Sequence, residues 1–353
     1  MHSSNKIYYS RIDHLRFIAV LLVIFWHTVY QFGLPNPYVP SFWPLSIFNE
    51  GHTGVALFMT LSGFIFELLV GGEKINYRIF IFNRFLRIAP LFLIWTFLLF
   101  WTKDIDPIKF FLALVGFLNK PNTLGIGWAV MVEVQFYLIF PFLTIFFKSK
   151  GWRYLVTLIF LAILMRAGIW ITQNTVQEIT YWSIFGRIDN FLIGMLCCSL
   201  YRLKKTFASN PYILLLLIST LLAYYHWFNL MGGYESNHGH SESWIWIFMP
   251  SIEGALYGLI TAQYLSVSCS LPRTVDRIFA WMGAISFSLY MNHLFVLSIL
   301  KNLLLRNDIN LSGYKGGIIF FIATLFFSIP ISVLTYRLIE EPFLNLRKAY
   351  LKK

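Results

Sequence analysis

The stretch HLRFIAVLLVIFWHTVYQFG, residues 14–33, decides the fold. Between Arg16 and His27 every residue from Phe17 to Trp26 is apolar. As a helix, twenty residues rising 1.5 Å each cover about 30 Å, the thickness of a bilayer's hydrocarbon core. Arg11 and Lys6 precede the run, but no small-residue cleavage site follows it. It therefore reads as an uncleaved first span and not as a signal peptide. Nine more runs of spanning length follow, near 53–71, 84–102, 126–147, 153–172, 182–201, 211–229, 244–266, 278–300 and 316–338. A run at 108–118 is too short to cross and is expected to be interfacial or re-entrant.

Composition agrees. The chain is 58% hydrophobic, 19% aromatic and 12% charged over 353 residues, with a mean hydropathy of +0.65. A soluble domain carries about 25% charge and has no place to hide this much apolar surface, whereas a bilayer accepts it if the backbone is helical. The fold class expected is all-α: a polytopic membrane protein of about ten transmembrane helices plus one short interfacial or re-entrant segment, with residues 1–353 forming one membrane domain and no fused soluble domain.

The net charge of +12 does not point to nucleic acid, because no basic soluble domain exists to carry it. It reports topology. Sixteen Lys and Arg fall in loops on the side of the N-terminus, among them Lys74, Arg78, Lys148, Arg202 and Arg347. Six fall on the other side, and loops 34–52, 173–181 and 230–243 hold none. Both termini are therefore expected in the cytoplasm. Cys197, Cys198 and Cys269 fall on that same side, and no disulfide is expected.

Several ionisable residues lie inside the spans, among them Arg16, His27, Glu133, Arg166, Arg187, Asp189, Glu253 and His293. The six of these that are not histidine would cost on the order of 18 kcal/mol if they faced lipid, taking about 3 kcal/mol each. They must face one another or a polar cavity. His27, Glu133, Asp189, Glu253 and His293 fall at similar depth on five spans, which suggests a site. Arg16 and His27 are eleven residues apart, close to three turns, so they share a helix face about 16 Å apart along the axis. Arg84 and Arg87 are neighbours on one face at the start of their helix, where backbone N–H groups also favour anions.

Taken together, these segments resemble the acyltransferase-3 family of bacterial membrane acyltransferases. The likeness rests on Ile12-Asp13-His14-Leu15-Arg16 through Trp26-His27; on Gly54 to Phe58 followed by Leu61-Ser62-Gly63-Phe64; and on the Arg84/Arg87 pair. It continues with Trp128, Val132-Glu133 and Gln135-Phe136-Tyr137; Arg187-Ile188-Asp189; Ser286 to Tyr290 with His293; and Arg337, Glu340, Pro342 and Phe343. Ala56 stands where that family usually has an acidic residue, and Glu341 intervenes between Glu340 and Pro342.

The resemblance implies an acyl-CoA donor, usually acetyl-CoA, and a hydroxyl acceptor on a glycan such as a lipid-linked O-antigen sugar. It implies no metal. It also implies a multi-pass protein of the bacterial cytoplasmic (inner) membrane. On this reading Arg84, Arg87 and Arg16 hold the CoA phosphates and His27 is the general base. Glu133, His293 or Asp189 orients the His27 imidazole. Direct transfer and an acyl-histidine intermediate both remain open. Buried Arg, Glu and His also line transport paths, so a transporter or flippase of lipid-linked sugars is the alternative. A structural membrane scaffold is the third.

Overall fold

The computed structural model describes residues 8–31, 42–103, 106, 108, 125, 127–203, 210–234, 242–268, 271–307 and 313–351. The protein is an all-α polytopic membrane protein. Its long helices are α1 (Ser10–Gln31), α2 (Gly54–Val70), α3 (Tyr77–Lys103), α4 (Gly127–Lys150), α5 (Trp152–Gln173) and α6 (Ile184–Arg202). They continue with α7 (Pro211–Leu230), α8 (Met249–Ser266), α9 (Arg273–Ala284), α10 (Ser286–Arg306) and α11 (Gly313–Thr335). Eight helical segments among the described residues are long and apolar enough to cross a membrane. The first expected span, α1, and the eighth, α8, are also continuous helices of 22 and 18 residues.

The surface is inverted relative to a soluble protein. Peripheral α5 and α7 expose Phe160, Leu164, Ile171, Leu215 and Leu216, while Arg166, Arg187, Asp189, Glu253 and His293 are buried. Lipid accepts the first group and penalises the second, so polarity drives inward. Close helix approach is carried by small residues. A Cβ on Gly63 of α2 would sit 2.0 Å from the Phe191 carbonyl oxygen of α6, and one on Gly194 would sit 2.2 Å from the Thr60 carbonyl oxygen.

Side-chain partners fix the helix directions. Glu133, Thr144 and Lys148 of α4 meet Ser62, Glu67 and Gly72 in that order, so α4 runs parallel to α2. Gly51 and Gly54 approach Leu22 and Ala19 of α1, so α2 runs opposite to α1. Glu133 therefore begins its helix at the same end of the bundle where His27 finishes α1. The 108–118 run lies outside the described residues apart from Ile108, but this orientation of α4 is the one expected of a segment that does not cross.

Two expected spans are divided. The run 278–300 breaks at Ile285 into α9 and α10, so the crossing helix is 286–306 and α9 is an amphipathic helix laid along the first half of α1. A Cβ on Gly283 would sit 1.9 Å from the Asp13 carbonyl oxygen, so glycine permits the contact at the break. The run 244–266 begins with a tight turn, Trp244–Ile247, before α8. At the far end α11 passes into a π-helical turn, Tyr336–Glu340, then Glu341–Leu344, and the chain folds back against the start of α3. Cys197 and Cys198 are buried and free in α6, and Cys269 lies outside the described residues.

Candidate active site

A cavity of about 220 Å³ opens between α1, α2, α3, α4 and α10. Arg16, Arg84 and Arg87, three cations singled out in the sequence, all line it, and Arg347 from the C-terminal segment is a fourth. Arg16 is held by Asp13 at 2.8 Å. Arg87 lies 3.6 Å from the buried Glu340, beyond hydrogen-bond range, and Ser288 donates to that same carboxylate. Arg84 has no carboxylate partner among the described residues. Its guanidinium lies 5.0 Å from the Phe66 ring centroid and 5.5 Å from that of Phe80, and its buried Nε makes no hydrogen bond. Burial, then Arg87 and Arg84, push the Arg347 guanidinium down to about 10, so it is still charged at neutral pH. The cavity holds positive charge that its own walls do not cancel.

Glu133 lines the cavity further along, together with Tyr290. Its carboxylate accepts from Ser62 Oγ at 2.6 Å and from the Tyr137 hydroxyl. The expectation that Glu133 orients His27 is not what the geometry shows: its hydrogen-bond partners are on α2 and its own helix. Asp189 is further removed still. It is fully buried and receives Arg166 Nη2 at 2.6 Å and Nη1 at 3.2 Å, with Ser251 as a third donor. Arg187 and Glu253 form a second closed pair at 2.9 Å, with Thr53 and Tyr225 donating to the carboxylate. The five ionisable groups of similar depth therefore separate into four sets, and only one pair, His27 with His293, joins two of them.

That pair is His27 and His293. His293 Nε2 lies 3.1 Å from His27 Nδ1. The proton positions follow from the remaining partners. His293 Nδ1 faces the carbonyl oxygens of Tyr290, at 2.6 Å, and Leu289, at 3.2 Å, and carbonyls only accept. Neutral His293 therefore carries its proton on Nδ1 and offers an Nε2 lone pair. His27 Nδ1 also faces a carbonyl, that of Val23 at 3.0 Å, so it is the protonated nitrogen and donates to His293. His27 Nε2 is left with its lone pair and has no partner among the described residues. A histidine with one nitrogen held as donor and the other free is set up as a base. On α1, His27 lies beyond the level of the cavity's end. Gly54, beside the lining residue Val55, touches Ala19 and Val23, four to eight residues short of His27, or roughly 6–12 Å.

Ser62, Tyr137 and Tyr290 lie within the motifs quoted above, yet no role was read for them from sequence. Arg347 carried no signal beyond a basic tail.

A family model described as an acyltransferase domain matches residues 9–337. No curated protein and no solved structure matches the chain.

Proposed function

Because the chain belongs to the acyltransferase family defined by that domain, over nearly its whole length, we propose that it moves an acyl group, acetyl above all, from acyl-CoA to a hydroxyl of a membrane-associated glycan. The observation that carries this reading is a cation-lined cavity at one end of α1 and a histidine with a free Nε2 toward the other. Phosphates of the donor pair with Arg84 and Arg87, with Arg16 at the rim. The pantetheine arm runs along α1 and brings the thioester to His27.

The chemistry is a single acyl exchange. His27 Nε2 takes the proton of the sugar hydroxyl as its oxygen bonds to the thioester carbonyl carbon. The carbon–sulfur bond then breaks, and the imidazolium returns the proton to the CoA thiolate. His293 supports the charged intermediate, because its Nε2 lone pair faces the His27 Nδ1–H. Such a positioned base contributes typically 10²–10⁴-fold in rate. Glu133, tied to Ser62 and Tyr137, shapes the passage between the two ends.

In this reading the arginine end faces the cytoplasm, where acyl-CoA is made, and His27 faces the outer side of the bacterial inner membrane. Two single cysteines in a cysteine-free background test the sidedness. An impermeant thiol reagent on intact cells reaches a cysteine at Gln173 and not one at Ser149; the reverse pattern overturns the orientation. Function is tested with the purified protein in lipid nanodiscs, labelled acetyl-CoA and isolated lipid-linked glycans. Label enters the glycan as an ester with stoichiometric CoA release, and His27→Ala abolishes both. Movement of glycan across a vesicle bilayer without acyl transfer would instead establish the flippase reading.

A further inference from the structure

The chain beyond Leu344 is not left loose. Asn83, with no solvent exposure, donates from Nδ2 to the Lys348 carbonyl at 2.6 Å and accepts the Lys348 N–H on Oδ1 at 3.1 Å. Asn76 N–H donates to the Tyr350 carbonyl at 2.8 Å, and Ile75 and Leu351 form an antiparallel bridge. Tyr350 is 1% exposed and its ring meets Phe80 edge-on at 5.3 Å. Five contacts over four residues make this segment a strap across the start of α3, and the strap turns Arg347 into the cavity.

That placement has an electrostatic cost unless something balances it. Arg347 is drawn beside Arg84 and Arg87, which both depress its basicity. It has no carboxylate partner among the described residues; its Nε donates only to the Leu344 carbonyl at 2.9 Å. A basic tail serving topology alone would splay into water, where like charges are screened within about 10 Å. Here three guanidiniums are pinned together against a single buried carboxylate, Glu340, which Arg87 approaches without a hydrogen bond. Planar guanidiniums arranged this way suit a ligand bearing more than one phosphate.

On the reading that the donor is an acyl-CoA, we infer that Arg347 is a third phosphate-binding arginine of the donor site and that Asn83 is its positioning residue. Asn83 directly precedes Arg84, so one turn of α3 presents its own arginine and fastens the strap that brings the other. The ligand class that follows is a polyphosphorylated carrier rather than a monoanionic acyl donor.

The test is calorimetric titration of acetyl-CoA into the full-length protein in nanodiscs. Arg347→Ala weakens binding by about tenfold or more, the scale of one charge-assisted phosphate contact. Arg347→Lys recovers part of the loss, which keeps the result interpretable should the alanine variant fold poorly. Lys348→Ala, which removes an exposed charge from the same strap, leaves affinity unchanged. Asn83→Ala weakens binding several-fold, and combining it with Arg347→Ala adds no further loss, because a freed strap and a missing guanidinium are the same defect. Wild-type affinity in Arg347→Ala overturns the assignment, and multiplicative losses in the double variant overturn the positioning role. A wild-type protein that binds no acetyl-CoA sinks the acyl-CoA reading itself, an outcome distinct from either.

Discussion

Two groups of arginines occupy this bundle under opposite rules. Arg166 and Arg187 are wholly buried, and each sits against a carboxylate whose other oxygen contacts are also filled. Arg84, Arg87 and Arg347 share one cavity, and none has a carboxylate within hydrogen-bond distance among the described residues. Burying a cation is costly in both places. In the first, the cost is met by a hydrogen-bonded partner supplied by the fold; in the second, only Arg87 has a carboxylate nearby, Glu340 at 3.6 Å, and Arg84 and Arg347 have none among the described residues. A neutralised cation holds helices together, while one left unneutralised marks where a ligand's charge belongs.

The largest effect that would break this contrast lies in the closed group. Asp189→Ala leaves the Arg166 charge buried without a carboxylate, with only the Ile247 and Gly186 carbonyls as acceptors, which costs about 3–5 kcal/mol, and the variant is expected to be recovered poorly from the membrane and to melt far below the wild type. A variant with native thermal stability in detergent would show that the pair is dispensable. Replacing both partners, Arg166→Leu with Asp189→Leu, removes the unmet charge as well, and stability returns to near the wild-type value. If the double variant is as unstable as the single one, the pair contributes more than mutual neutralisation.

The open group responds in the opposite way. Arg84→Ala takes one cation from a cluster that repels itself, so thermal stability stays level or rises. Acyl-CoA affinity falls by roughly ten- to a hundredfold, since a hydrogen bond to a charged group is worth about 1.5–3 kcal/mol. A fall in stability without a fall in affinity would move Arg84 into the closed group. The smallest effect concerns the wall between the two ends. Ser62→Ala removes one donor from Glu133 while Tyr137 still holds it, at a cost of about 1–2 kcal/mol. Turnover is expected to drop several-fold with donor affinity intact, and unchanged turnover would make that bond purely structural.

Much of this was legible in the sequence for a simple reason: hydropathy, spacing and loop charge are local signals, and lipid enforces them strictly. The spans, the shared face of Arg16 and His27, and the arginine pair on α3 are all read along one strand of chain. What was not legible depends on contacts between distant segments. Asp189 resembles a companion of His27 because both lie at one depth, but the partner that claims it is Arg166 of α5, a pairing that no spacing along the chain announces. The division at Ile285 is hidden because Met282, Ala284, Ile285 and Phe287 keep the run apolar across the break. His293 was one of three candidates to orient His27, and only the packing of α10 beside α1 separates it from Glu133 and Asp189. Arg347 resembled every other basic residue near a membrane surface until the strap placed it.

The spacing along α1 has a further consequence. Arg16 and His27 stand on one rigid helix, eleven residues and about 16 Å apart. In the proposed reaction this makes α1 a ruler for donors. An acyl phosphate carries its anion and its reactive carbonyl on neighbouring atoms and cannot touch both marks, whatever its intrinsic reactivity. Only a carrier that holds its charge at one end of a long, slender arm and its carbonyl at the other spans the gap, so the helix selects donors by length before any chemistry begins.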